Sequence, residues 1–291
     1  MELNILQNFL VIAQTGNISK AAQILHLSQP ALSRQLQALE SELGVTLVKR
    51  SSRQLNLTAA GSYLVQRAQE IIAMVKKTEN DLSTTAIPSG DLYIGCGETQ
   101  GVQYLAQAVK IMHERYPQIH IQLLSGSGDD LRYKMKTGLL DFALLLDPTQ
   151  MTDFNFLTVP YTDNWGLLLH PSHFLATKRV IRPQDVNKLP AIFPRQHYNF
   201  NQLENWLGHP ISSQMIIGTY NLLFNAALLV QENVGAAYCL NNLINTMAIH
   251  DLVFRPLQPV LATKSNFIWL KDRPLSAAAE CFLHIVKQVL V

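Results

Sequence analysis

Gln29, Ser33 and Arg34 lie within two helical turns of one another, directly behind the joint Leu27-Ser28. A guanidinium can donate two bonds to the edge of a guanine, and a carboxamide can pair with adenine. Downstream, Lys49, Arg50 and Arg53 form a short basic run suited to phosphates or an adjacent minor groove. A charge run is in general only a solvated face, but this one directly follows a candidate reader. A second constellation is Gly95-Cys96-Gly97-Glu98-Thr99-Gln100-Gly101. Placed between a strand and a helix, it would present free N–H groups and a partial positive charge to a small ligand.

The first constellation needs helices to aim it. Leu6, Phe9, Leu10 and Ala13 repeat at i, i+3, i+4, i+7 and predict an amphipathic helix ended by Gly16. Ser19 is the expected cap of a second helix, Lys20 to His26. Ser28 caps a third, with Pro30 in its first turn and a stripe of Leu32, Leu36, Leu39 and Leu43 ending at Gly44. Two short helices joined this way, the second polar on its exposed N-terminal side, match a helix-turn-helix reader. The same segment is also compatible with an ordinary helical hairpin.

Val45 to Arg50 and Gln54 to Leu57 read as two strands around a basic turn. Thr58 caps the next segment, in which Leu64, Ala68, Ile71, Val75, Thr78 and Leu82 alternate spacings of four and three. That seam suits a partner helix, so a long dimerising helix is expected. Ile87-Pro88-Ser89-Gly90 breaks it and sets the expected domain boundary.

Beyond it, Leu92–Gly95, His120–Leu124 and Phe142–Leu146 read as strands, with helices over Gln100–Arg115 and Asp130–Thr137. Such alternation implies βαβ units and a parallel sheet. A second set has strands at Trp165–Leu169, Ala191–Phe193 and Met215–Ile217 and helices at Phe200–Leu207 and Asn221–Glu232. A last strand, Asn266–Leu270, precedes a C-terminal helix from about Leu275.

Several function classes are excluded or disfavoured. Apolar content of 48% with 15% charged residues is that of a globular protein, and a net charge of +2 does not mark the whole chain as a polyanion binder. The distribution is more informative. Residues 1–67 carry six basic side chains (Lys20, Arg34, Lys49, Arg50, Arg53, Arg67) against Glu2, Glu40 and Glu42, whereas from Pro88 onward the two signs balance. Cys96, Cys239 and Cys281 form no Cys-x-x-Cys pair, which points to a cytoplasmic protein without disulfides or a thiolate zinc site. The N-terminus lacks the basic start of a secretion signal, and no apolar run is long enough for a membrane span. There is no Gly-x-Ser-x-Gly elbow, His-Glu-x-x-His or P-loop, and His170 and His173 alone are too few for a metal site, so no enzyme, metal or cofactor is expected. Gly95-x-Gly97 lacks the third glycine and the distal acid of a dinucleotide site.

The runs Phe9-Leu10-Val11-Ile12-Ala13, Asn17-Ile18-Ser19-Lys20-Ala21-Ala22, Leu27-Ser28-Gln29-Pro30-Ala31-Leu32-Ser33-Arg34-Gln35-Leu36, Leu39-Glu40, Leu43-Gly44 and Leu57-Thr58-Ala59-Ala60-Gly61 resemble, in order and spacing, the DNA-binding region of LysR-type transcriptional regulators. Gly138 to Leu144 and Trp165 to Leu169 resemble the family's effector domain, so the likeness extends over essentially the whole chain. It implies an α/β multidomain protein: a winged helix-turn-helix (1–57), a dimerising linker helix (58–87), and a bilobed effector domain resembling periplasmic binding proteins (88–291, with lobes 88–161 plus 266–291 and 162–265). On this analogy the partners are double-stranded DNA, a small-molecule effector of unknown identity, and further copies of the chain, as homodimer through the linker and homotetramer. Ser28, Gln29, Pro30, Ser33 and Arg34 then belong to the DNA-reading helix and Arg50 and Arg53 to the wing. The polar Ser51-Ser52 departs from the basic or aromatic wing tip of many members.

The resemblance places effector contacts in the turn at Thr99 and Gln100, with Glu98 beside them. The residues leave alternatives open: Thr99 can be only a helix cap, and Glu98 only a complement to the helix dipole. Gly126 and Ser127, after the next strand, can line the cleft or form an ordinary turn. Across the cleft, Arg195 and Tyr220 can meet a ligand, or be a surface cation and a buried aromatic. Cys96 is either a small buried residue or, at a helix start, an activated thiolate. The expected function is a sequence-specific, effector-responsive transcriptional regulator; the alternative is a small-molecule-binding protein or enzyme whose helical hairpin does not read DNA.

Overall fold

The structure, a computed structural model, describes residues 1–50, 55–82, 88–146, 151–245 and 252–290, and of 50, 80–82 and 197–199 the backbone alone. Contacts divide the chain into two units, Met1–Ser83 and Thr84–Val291.

In the first unit, α1 (Leu3–Thr15) ends on Gly16 at φ +61°, a left-handed conformation that glycine adopts without steric cost. Helix α2 spans Ile18–Ile24, and its cap is Asn17, whose side chain accepts from the Lys20 N–H at 3.0 Å. Ser19, the expected cap, is already inside the helix. Helix α3 (Gln29–Leu43) starts on Ser28, whose Oγ accepts from Ala31 N–H, and stops at Gly44. Leu32, Leu36 and Leu39 are buried with Leu6, Phe9 and Ile12 of α1. Each such side chain is worth about 1.5–3 kcal/mol of transfer free energy. Leu43, the last residue of the expected stripe, is exposed.

Strands β1 (Val48–Arg50) and β2 (Leu55–Leu57) pair antiparallel. Glu40 of α3 anchors them: its carboxylate accepts from the N–H groups of Leu47 (2.7 Å) and Val48 (3.2 Å). Helix α4 (Ala59–Leu82) starts on Thr58, whose Oγ1 accepts from Gly61 N–H. A Cβ on Gly61 would lie 2.0 Å from the Leu47 carbonyl oxygen, so the helix can approach the strand only because this position has no side chain. Leu64 and Ala68 of the expected pairing seam are buried in the chain's own N-terminal core, whereas Ile71 is exposed. The first part of that stripe is thus used within the unit.

Among the described residues the second unit holds a nine-stranded sheet. Its first lobe contains β3 (Gly90–Cys96), α5 (Val102–Arg115), β4 (Ile119–Ser125), α6 (Gly128–Lys136) and β5 (Phe142–Leu146). The sixteen-residue β6 (Phe154–Leu169) crosses into the second lobe, with β7 (Ala191–Pro194), α7 (His197–Leu207), β8 (Ile216–Tyr220), α8 (Leu223–Gln231), β9 (Ala236–Leu240) and β10 (Val253–Pro256). Strand β11 (Ala262–Leu270) returns to the first lobe, followed by α9 (Ala277–Leu290). The order is β4-β3-β5-β11-β6-β9-β7-β8, with β10 also paired to β6. Strands β3, β4 and β5 are mutually parallel, as are β7, β8 and β9, but β11 runs antiparallel to β5 and β6. The parallel sheet expected from the alternation is present in β3, β4 and β5, and the sheet becomes mixed where β6 and β11 carry the chain between lobes.

Apolar clusters cover both faces of the sheet: α5 and α9 pack over β3 and β5 around Phe142, Phe267 and Phe282, and Leu131 and Met135 of α6 lie on the other face. Trp165, Phe193 and Tyr238 centre the second lobe's main core. Among the described residues no helix is long and apolar enough to cross a membrane.

Candidate functional site

Ser28, Gln29, Pro30 and Arg34 are exposed on the first turns of α3, while Ser33 is half-buried. The opposite face of the helix holds the buried Leu32 and Leu36, so the polar side is turned outward by the core itself. Arg34 Nε donates to the Pro30 carbonyl at 3.4 Å, a long contact that does not use the guanidinium's outer donors. Lys49 is exposed on β1. The backbone of Arg50 is at the end of the same strand; its side chain, together with Ser51, Ser52 and Arg53, lies outside the described residues.

In the second unit the turn after β3 meets groups of this chain. Thr99 is buried and its hydroxyl donates to Asp163 Oδ2, while Gln100 N–H donates to Asp163 Oδ1 at 3.3 Å. The turn leading into α5, which the sequence offers to a ligand, is therefore met by a carboxylate from β6. Desolvation pushes the Asp163 carboxyl up, and those two hydrogen bonds act against the shift. Glu98 reaches the other lobe, where its carboxylate accepts from Leu223 N–H at the start of α8, at 2.5 Å. Burial pushes its carboxyl up and the bond from Leu223 opposes this. Gln100 Nε2 also crosses, donating to the Asn242 carbonyl. Asp163 and Asn242 carry no local sequence signal, since each acts only through a distant segment.

Two adjoining chambers lie between the lobes. The outer one, about 410 Å³, is lined by Ser125, Gly126, Ser127, Asp129 and Asp130 from the first lobe and Arg195, Gln196 and Asn221 from the second. The inner one, about 30 Å³, is walled by Glu98, Trp165, Tyr220 and apolar neighbours, and shares Gln196 and Asn221 with the outer. Of the sequence candidates, the structure thus gathers Gly126, Ser127 and Arg195 at the outer chamber and Glu98 and Tyr220 at the inner one. Thr99 is turned to Asp163. Tyr220 spends its hydroxyl on the Tyr238 carbonyl at 2.7 Å, and burial raises its pKa well above the usual phenol range. Thr219 and Tyr220 close β8 and do not begin the next helix, which starts at Leu223. Asp129 and Asp130 are not among the sequence candidates, although acidic residues in a helix's first turn are a readable pattern.

Cys96 is buried and desolvation pushes its thiol up to about 12, the opposite of an activated thiolate. Among the described residues no group of three or more His, Cys, Asp or Glu side chains is arranged to hold a metal ion.

Comparison with known proteins is consistent across the chain. The family model for the bacterial regulatory helix-turn-helix protein of the lysR family matches residues 3–62, and that for the LysR substrate binding domain matches residues 86–291. The HTH-type transcriptional regulator YvbU of Bacillus subtilis (strain 168) is 24% identical over 292 residues, spanning 99% of each chain. A "Probable RuBisCO transcriptional regulator" of Chlorokybus atmophyticus is 33% identical over 184 residues, 62% of this chain and 59% of the relative. The crystal structure of CbnR, a LysR family transcriptional regulator, is similar with a TM-score of 0.74 at 20% identity, covering 100% of both chains. Full-length CbnR complexed with its target DNA gives 0.73 at 20% identity, over 99% of this chain and 100% of that one.

Proposed function

This chain belongs to the LysR family of bacterial helix-turn-helix regulators, and on that premise we propose that it reads operator DNA through the outward face of α3 and is switched by a small molecule in the cleft of its second unit. The carrying observation is the exposure of Gln29, Pro30 and Arg34 on the first turns of a helix whose opposite face is anchored in the core. There Gln29 and Arg34 are assigned to base edges, with Ser28 setting the helix start and Ser33 beside them. Lys49, Arg50 and Arg53 are assigned to phosphates or the minor groove flanking the reader. The division proposed is a reader over 1–57, a pairing helix over 58–87 and an effector domain over 88–291, its lobes 88–161 plus 266–291 and 162–265.

Two readers on one operator require two chains, and the exposed Ile71 and half-buried Val75 of α4 supply the apolar seam for pairing. A homotetramer is the assembly proposed from such pairs. In the cleft, Glu98, Thr99, Gln100, Gly126, Ser127, Arg195 and Tyr220 are assigned to the effector site, with Thr99 held there by its bond to Asp163. An effector acts by binding the two arrangements of the lobes unequally. No reaction is assigned to the chain, and a DNA-binding regulator of a bacterial family works in the cytoplasm.

Selection of bound duplexes from a random-sequence DNA pool by the full-length protein tests the reading. An enriched two-fold-related motif, with half-sites about one helical turn or a multiple apart, is expected. Salt-sensitive binding without enrichment, both with and without cell metabolites, would sink it.

A further inference from the structure

The two walls of the outer chamber differ in kind. From the first lobe come the hydroxyl residues Ser125 and Ser127 and the carboxylates of Asp129 and Asp130; from the second come the guanidinium of Arg195 and the carboxamides of Gln196 and Asn221. The positive end of α6 is not a bare anion site, because Asp129 and Asp130 occupy its first turn and Ser127 Oγ already accepts from Asp130 N–H. Both aspartates are steadied along the helix, Asp129 by Arg132 and Asp130 by Lys134 at 3.0 Å, and neither cation lines the chamber. A carboxylate can accept about four hydrogen bonds, so each retains acceptors for a ligand.

A simple anion placed here would meet two carboxylates. A simple cation would meet the guanidinium, and a neutral molecule would desolvate charged groups and offer no charge in return. The volume of about 410 Å³ suits a small molecule with both charges, being at the lower end of the usual range of about 300–1,000 Å³ for ligand sites. Resting on the effector-cleft reading, we infer that the effector is an amino-carboxylate zwitterion, the chemistry of an amino acid, with its ammonium turned to Asp129 and Asp130 and its carboxylate to Arg195. Each end of such a ligand belongs to a different lobe. Its binding therefore depends on their separation, which is what allows it to favour one arrangement over another.

The test is a thermal-shift screen of the full-length protein with the proteinogenic L-amino acids, β-alanine and 4-aminobutyrate, the last two varying the distance between the charges. Any compound that raises the Tm is compared by calorimetry with its hydroxy-acid and decarboxylated analogues. At least one zwitterion is expected to bind, with both analogues weaker by about tenfold or more, the scale of a lost charge-assisted contact. Arg195 is exposed, so Arg195→Gln can be made without opening the core, and it should weaken the zwitterion by a similar factor, as should the double variant Asp129→Asn/Asp130→Asn. If no zwitterion in the panel binds, or if the hydroxy acid binds as well as the parent and the aspartate variants tighten it, the zwitterion assignment is overturned. In the second case sensitivity to Arg195→Gln would leave the cleft reading intact. A ligand that binds wild type and all cavity variants alike overturns both.

Discussion

The carboxylate of Glu98 and the backbone N–H of Leu223, 125 positions apart in the chain, meet at 2.5 Å and join the two lobes of the second unit. A carboxylate at the start of α8 completes one of the unsatisfied donors of the helix and faces its positive end. On the first lobe's side, Asp163 accepts from Gln100 N–H and from the Thr99 hydroxyl in the turn that leads into α5. The turn into α5 and the start of α8 are thus each already supplied with an acid from elsewhere in the chain.

Burial raises the Glu98 carboxyl above its ordinary value. A carboxyl whose folded pKa exceeds its unfolded one binds its proton more tightly when folded, so stability falls as pH climbs from the ordinary carboxylate range through the folded value, and the loss is complete above it. Glu98→Gln keeps an acceptor for Leu223 without this penalty. Urea midpoints measured from about pH 4 upward are expected to shift in favour of the variant as pH rises. A shift in the opposite direction would mean that the attraction of the ionised form to α8 outweighs desolvation.

Thr99→Val keeps the shape of the side chain but leaves fully buried Asp163 with one donor fewer. The cost expected is about 1–3 kcal/mol in the second unit's unfolding transition. Thr99→Ser, which retains the hydroxyl, should recover most of it; equal losses in the two variants would assign the effect to packing.

Adding one methyl at Gly61 drives a Cβ into the Leu47 carbonyl, a backbone atom that cannot swing aside. Gly61→Ala should cost about 3 kcal/mol by the overpacking mechanism and disturb the attachment of β1 at the same time. Thermal unfolding of residues 1–83 within the full chain reads the loss, and an unaltered transition would show that α4 can move away freely.

On the DNA side, Arg34→Ala is expected to lose about 1–3 kcal/mol of operator binding and to relax preference at one position of each half-site. A loss that is uniform over all sequences would make Arg34 a phosphate contact. Lys49→Ala should instead lower the slope of log affinity against log salt by about one, and an unchanged slope would remove Lys49 from the interface.

Cys96 and Cys239 are buried and burial raises both thiols, whereas Cys281 is half-exposed. Maleimide is expected to label native protein at Cys281 first and all three cysteines only in denaturant, and peroxide should leave DNA binding unchanged. Rapid labelling of Cys96 in the native state would restore the thiolate reading.

The features legible in the sequence are those decided within a few residues. Gly16 and Gly44 end helices, and Ser28 and Thr58 begin them, because capping and left-handed turns are satisfied locally. Even there Asn17 takes the place of Ser19, two nearby capping types between which local chemistry does not choose. Strand β9 is not legible because Ala236 to Leu240 is buried on both faces and shows no alternation, nor is the first half of β6, because Pro160 interrupts its pattern. The candidate turn was legible as a position, but its use was not. That Thr99 bonds Asp163, that Glu98 meets the start of α8, and that Arg195 shares a cavity with Asp130 follow from contacts between segments 60 to more than 100 residues apart. Periodicity and capping act along a few turns of chain; a carboxylate's partner is chosen by the folding of the sheet that brings it there.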